Sequence, residues 1–124
     1  MQVKVAKSGG FCRGVQHAVD TAMSVPPENT YILGELIHNP QVVEEVAGRG
    51  IVTVQDVSDV PDNATLILRS HGVGMAVYEE CARRNIRVID CTCSFVKRIH
   101  KFVHSITDMD KVIVNTGDAA HPEV

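Results

Sequence analysis

Two periods alternate along the chain. Short β-branched runs at Gln2 to Ala6, Tyr31 to Leu33, Ile51 to Val54, Thr65 to Leu68, Arg87 to Ile89 and Lys111 to Asn115 predict strands. Between them, apolar residues recur at helical spacing. Val15, Ala18, Val19, Ala22 and Met23 mark a helix that starts near Cys12 and ends at Pro26 and Pro27. Pro40 opens a second, which turns Val42, Val43, Val46 and Ala47 inward and stops at Gly48 and Gly50. A third, from about Met75 to Arg84, has Val77, Tyr78, Cys81 and Ala82 on its apolar face, so Cys81 reads as core packing. A fourth, from Ser94 to about Thr107, carries Phe95, Val96, Ile99, Phe102, Val103 and Ile106 on one face, with Ser94 placed as N-cap. Lys97, Arg98, His100, Lys101 and His104 cover its other face. His100 and His104 have the spacing of a helical metal pair, but no carboxylate accompanies them, and this basic face is expected to be solvated.

Strands that alternate with helices predict an α/β fold, a parallel sheet with βαβ crossovers. The expected domain break falls near Cys93, with residues 1–93 as a first α/β domain and 94–124 as the truncated start of a second. One helix and one strand are too little for a separate core, so the apolar face of the fourth helix is expected to pack on the first domain or to join a neighbouring chain. The 124 residues, 44% hydrophobic and 22% charged, suit a globular domain. A net charge of -3 with only 12 lysines and arginines gives no general electrostatic reason for a nucleic-acid partner. The apolar runs fall far short of the roughly 20 residues of a membrane span, and the N-terminus lacks the pattern of a secretory signal. The expected compartment is the cytoplasm, where the four cysteines would be reduced thiols suited to metal ligation or catalysis.

In open parallel sheets the loops after the carboxyl ends of the strands form the ligand crevice. Cys12, His38, His71, Cys93 and His121 follow the predicted strands at that edge, every strand except Ile51 to Val54. Glycines or prolines flank them, at Gly9, Gly10, Gly14, Pro40, Gly72, Gly74, Gly117 and Pro122. Glycine lets backbone approach a ligand closely and helix starts present free N–H groups, an arrangement suited to a phosphorylated substrate. Cys12 and Cys93 both open helices, where the dipole favours thiolate; as residues they fit metal or redox chemistry, or inert buried thiols. Two thiols fall short of an iron–sulfur or structural zinc ligand set, so further ligands would come from elsewhere. Cys91 is a spare ligand or, more simply, packing. Glu123, beside His121 at a helix start, is a general acid or a helix-opening glutamate.

The segments GGFCRGV (Gly9 to Val15), GELIHNPQVV (Gly34 to Val43), RSHGV (Arg69 to Val73), DCTCSFVKRIH (Asp90 to His100) and TGDAAHPEV (Thr116 to Val124) resemble, in order and spacing, the IspH or LytB family. These are the 4-hydroxy-3-methylbut-2-enyl diphosphate reductases, and the resemblance spans essentially the whole chain. It implies a longer protein of three similar α/β domains around a four-iron four-sulfur (4Fe-4S) cluster. Cys12 and Cys93 match two of its three cluster cysteines, with the third beyond Val124. His38, His71 and His121 match residues that hold the substrate's diphosphate and allylic oxygen, and Glu123 matches the acid that delivers protons. The implied reaction is a two-electron reductive dehydration to isopentenyl and dimethylallyl diphosphate, with ferredoxin or flavodoxin as electron donor. The fragment by itself is expected to be inactive. Cys91, Ser94 and Arg13 depart from the family's usual alanine, proline and smaller or aromatic residue. Two other readings stand beside this one: a zinc-binding or thiol-redox module built from Cys12, Cys91 and Cys93, and an interaction fragment whose cysteines and histidines are structural.

Overall fold

The structure is a computed structural model that describes residues 1–106 and 110–118. Its strands are β1 (Thr30–Leu33), β2 (Val52–Val54), β3 (Thr65–Leu68) and β4 (Arg87–Asp90), and its helices are α1 (Arg13–Ser24), α2 (Pro40–Gly48), α3 (Met75–Arg83) and α4 (Ser94–Ser105). All strand pairings are parallel, in the spatial order β2-β1-β3-β4.

Alternation along the strands builds two cores. Ile32, Ile67 and Ile89 face α1 and α2, where they meet Ala18, Ala22, Val42 and Val46. Leu33, Leu66, Leu68 and Val88 face the opposite way, toward Cys81 and Val77 of α3 and toward Val60. A sheet buried on both faces is why these strands read as continuous apolar runs without a polar side. Pro40 occupies the first turn of α2, and the Asn39 side chain accepts a hydrogen bond from the Val42 amide at 3.2 Å.

Two expected strands are corrected. Residues 2–6 and 111–115 form none, and Val3, Val5, Val112 and Val114 are exposed. Their β-branched composition was sound, but a strand is stabilised by exchanging backbone hydrogen bonds with a neighbouring strand, and neither segment joins the four-stranded sheet.

Helix α4 does not pack its apolar face on this domain. None of its residues is buried, and Phe95, Ile99 and Phe102 are 69%, 60% and 67% exposed. Of the basic side only Lys97 is half-buried; His100, Lys101 and His104 are exposed as expected, and with Lys97 they line a cleft whose other wall includes Met75 and Tyr78 of α3.

Candidate functional site

The order β2-β1-β3-β4 creates a switch point, because the crossover from β1 runs to one side and the chain then returns to lay β3 on the other. Loops leaving β1 and β3 therefore diverge at their carboxyl ends and leave a crevice. His38 stands in the first loop and His71 in the second. Their rings stack with centroids 4.9 Å apart and planes at 27°. Glu35 holds His38 Nδ1 at 3.2 Å. Arg69 crosses between the same loops: a Cβ on Gly34 would lie 2.7 Å from its Nη1, and its buried Nε has no partner among the described residues.

The thiols gather at the same rim. Cys12 is the N-cap of α1 and Cys93 of α4, and neither side chain caps its helix. Asn39 shows what a capping side chain does in this fold, so helix stability does not account for cysteine at these positions. The two helix starts meet at Gly14, where a Cβ would lie only 2.7 Å from Cys93 Sγ and 3.1 Å from its Cβ. Backbone bonds continue past the strand ends, Cys91 N to Leu68 O at 3.1 Å and Cys93 N to Ser70 O at 2.8 Å, and fix Cys93 beside the His71 loop. Cys12 is exposed and Cys93 half-buried.

Cys81 and Cys91 are core residues, each 1% exposed, and burial pushes both thiols up from their ordinary pKa. Cys91 packs among Ile32, Ile67 and Ala18, away from the rim that a zinc or thiol-redox module would require. No group of three or more metal-ligating side chains occurs among the described residues. His121 and Glu123 lie outside the described residues, as does Thr107, the expected end of the fourth helix.

The cysteine loop is stapled by Asp90. Its carboxylate accepts from the Thr92 amide at 2.9 Å and from the Thr92 hydroxyl, and pairs with Lys97 Nζ at 2.7 Å. Burial pushes this carboxyl up, but Lys97 and Thr92 more than offset it and leave it below its ordinary value. Tyr78 is raised, first by burial and then by the Asp90 charge. His100 also belongs to this end of the molecule. Its Cε1 and the Thr92 methyl crowd Gly72, where an added Cβ would meet them at 3.2 and 3.0 Å. Sequence reading set His100 aside, although Lys97, His100, Lys101 and His104 recur at i, i+3, i+4 and i+7, the spacing of one continuous stripe.

The residues present suit an iron–sulfur cluster: two soft thiols at helix starts, free of capping bonds, with a glycine two residues after Cys12 that leaves room for the Cys93 sulfur. No helix among the described residues is long and apolar enough to cross a membrane.

The model of the family described as LytB protein matches residues 3–124. The 4-hydroxy-3-methylbut-2-enyl diphosphate reductase of Geobacter sp. (strain M21) is 44% identical over the whole of this chain, which covers 44% of that relative. The enzyme of the same description from Clostridioides difficile (strain 630) is 39% identical, with 46% of its length covered. A solved structure of (E)-4-hydroxy-3-methyl-but-2-enyl diphosphate reductase superposes with a TM-score of 0.78 at 34% identity, over 98% of this chain and 44% of that one. The chain thus spans less than half the length of the relatives it matches, while nearly all of its own length takes part in the match. Sequence and fold agree, and the chain belongs to the LytB protein family.

Proposed function

We propose that this chain forms the substrate- and cluster-binding first part of a 4-hydroxy-3-methylbut-2-enyl diphosphate reductase. The observation that carries the reading is convergence: the stacked His38 and His71 pair and the Gly14 contact of Cys93 stand on one rim, at the sheet's switch point. Cys12 and Cys93 are two ligands of a four-iron four-sulfur cluster, and a third comes from a later domain. When bound, such a cluster supplies electrons and an iron with an open position that acts as a Lewis acid.

The chain's own residues bind and orient. His38 and His71 donate imidazole N–H groups to the diphosphate, and His121 joins them from beyond the described residues. Glu123 delivers a proton toward the departing hydroxyl. In the overall reaction two electrons and two protons enter, a C–O bond breaks, a C–H bond forms and water leaves. The product is isopentenyl or dimethylallyl diphosphate, according to the carbon protonated. The electron donor is a ferredoxin or flavodoxin, the setting cytoplasmic. Residues 1–93 form the first of three domains and 94–124 begin the second.

Anaerobic reconstitution of the intact protein tests this. Cys12→Ser and Cys93→Ser should each abolish bound iron and its visible absorption, and Cys91→Ala should retain both. His38→Ala and His71→Ala should raise KM for the diphosphate substrate by about tenfold or more each. Zinc uptake with no iron–sulfur absorption, or turnover indifferent to both histidine changes, would defeat the reading.

A further inference from the structure

Helix α4 leaves its apolar stripe uncovered. An amphipathic helix ordinarily turns its apolar stripe to the protein and its charges to water. Here Phe95, Ile99 and Phe102 are exposed, and Lys97, His100, Lys101 and His104 border a cleft of about 900 Å³ against the α3 side of the domain. Basic side chains gathered along one cleft are favoured when a counter-charge sits between them. Lys97 has Asp90, but no ion pair among the described residues engages His100, Lys101 or His104. The lining contains no aspartate or glutamate, and Arg69 and His71 add two more basic groups at its inner end.

We propose that this cleft is a second anion subsite, an outer cradle that receives the phosphate end of a diphosphate ester and passes it inward to His71. The proposal rests on the reductase reading above and extends it to residues outside the stacked histidine pair. Three features favour a diphosphate over a single carboxylate. From His100 to His104 the donors span about 6 Å of helix axis, enough to grip a polyanion at more than one oxygen. The donor set mixes an always-charged guanidinium, an ammonium and imidazoles, which suits several oxygens of differing charge. The inner end is continuous with His71, whose ring already stacks on His38, so an anion in the cleft lies on the way to the rim. Gly72 lies on that path, and a Cβ there would crowd His100 at 3.2 Å and the Thr92 methyl at 3.0 Å.

The test is a titration of the intact protein with inorganic pyrophosphate, followed through the imidazole Cε1–H NMR signals. His100 and His104 should shift together with His71, and the response should weaken as salt is raised. The double variant Lys101→Gln/His104→Gln, both at exposed positions, should keep the wild-type unfolding midpoint. It should bind pyrophosphate about tenfold more weakly and raise KM by a similar factor while kcat is retained. Shifts confined to His38 and His71, with affinity unchanged in the double variant, would overturn the subsite and leave the reductase reading intact. Pyrophosphate shifts at His100 and His104 in a cluster-loaded protein that reduces no substrate would uphold the subsite and overturn the reductase reading instead.

Discussion

The two ends of the sheet use left-handed backbone for opposite purposes. At the amino ends of β1, β3 and β4 stand Asn29, Asn63 and Asn85, with φ of 55°, 62° and 54°. Their side chains knit the turns together: Asn85 Nδ2 donates to Asn63 Oδ1 at 2.7 Å, and Asn29 Nδ2 to Asn63 O at 3.4 Å. At the carboxyl ends, positive φ falls to Gly34 (69°) and Gly72 (81°), where Arg69, His100 and Thr92 press against the bare backbone. Asparagine tolerates this conformation and adds a bond between turns; glycine tolerates it and adds nothing, which is what a neighbour's close approach requires. One rim is therefore built to hold itself together, the other to admit side chains and ligands.

Gly72→Ala should have the largest effect. Left-handed strain and overpacking together should cost about 2–4 kcal/mol in urea unfolding, and the His100 imidazole signal should move. Asn63→Ala should cost about 1–2 kcal/mol through strain and the lost Asn85 hydrogen bond, yet leave the histidine signals and pyrophosphate affinity as in wild type. If it moved His71 and His100 as far as Gly72→Ala does, the division of labour between the rims would fail.

Asp90→Asn should be the mildest, at most about 1 kcal/mol at neutral pH, since Lys97 is partly exposed. The folded carboxyl is depressed, so the stability it contributes is fully present above its unfolded value of about 4. That contribution is lost as pH falls through the lower folded value. The gap between wild type and variant in urea midpoint should accordingly close in acid, and a gap that widened there would contradict the assigned pairing.

The sheet was legible because Ile32, Ile67, Leu66 and Leu68 are buried on both faces, which leaves dense apolar runs between helices of clear period. The same signal misled at residues 2–6 and 111–115, since composition records a preference for extended backbone and says nothing of a partner for it. Cys12 was counted from a strand at residues 2–6 that does not form, whereas the placement of His38, His71 and Cys93 near the carboxyl edge followed from counting crossovers. The ring stacking of His38 on His71 did not, because strand order is a matter of long-range pairing that no local period encodes. That the apolar stripe of α4 does not pack on this domain was illegible for a related reason. Periodicity identifies two faces of a helix, and only the surroundings decide which turns inward.

Because Cys93 ends the last sheet loop and begins α4, the helix is a rigid arm pivoted on Cys93 and pinned near that pivot by Lys97 and Asp90. His104 lies about 15 Å along the arm, so a tilt of about 6° would swing it by about 1.5 Å while the sulfur scarcely stirred. Whatever grips the exposed Phe95, Ile99 and Phe102 side of the arm thereby sets the width of the cleft without disturbing the Cys93 thiol.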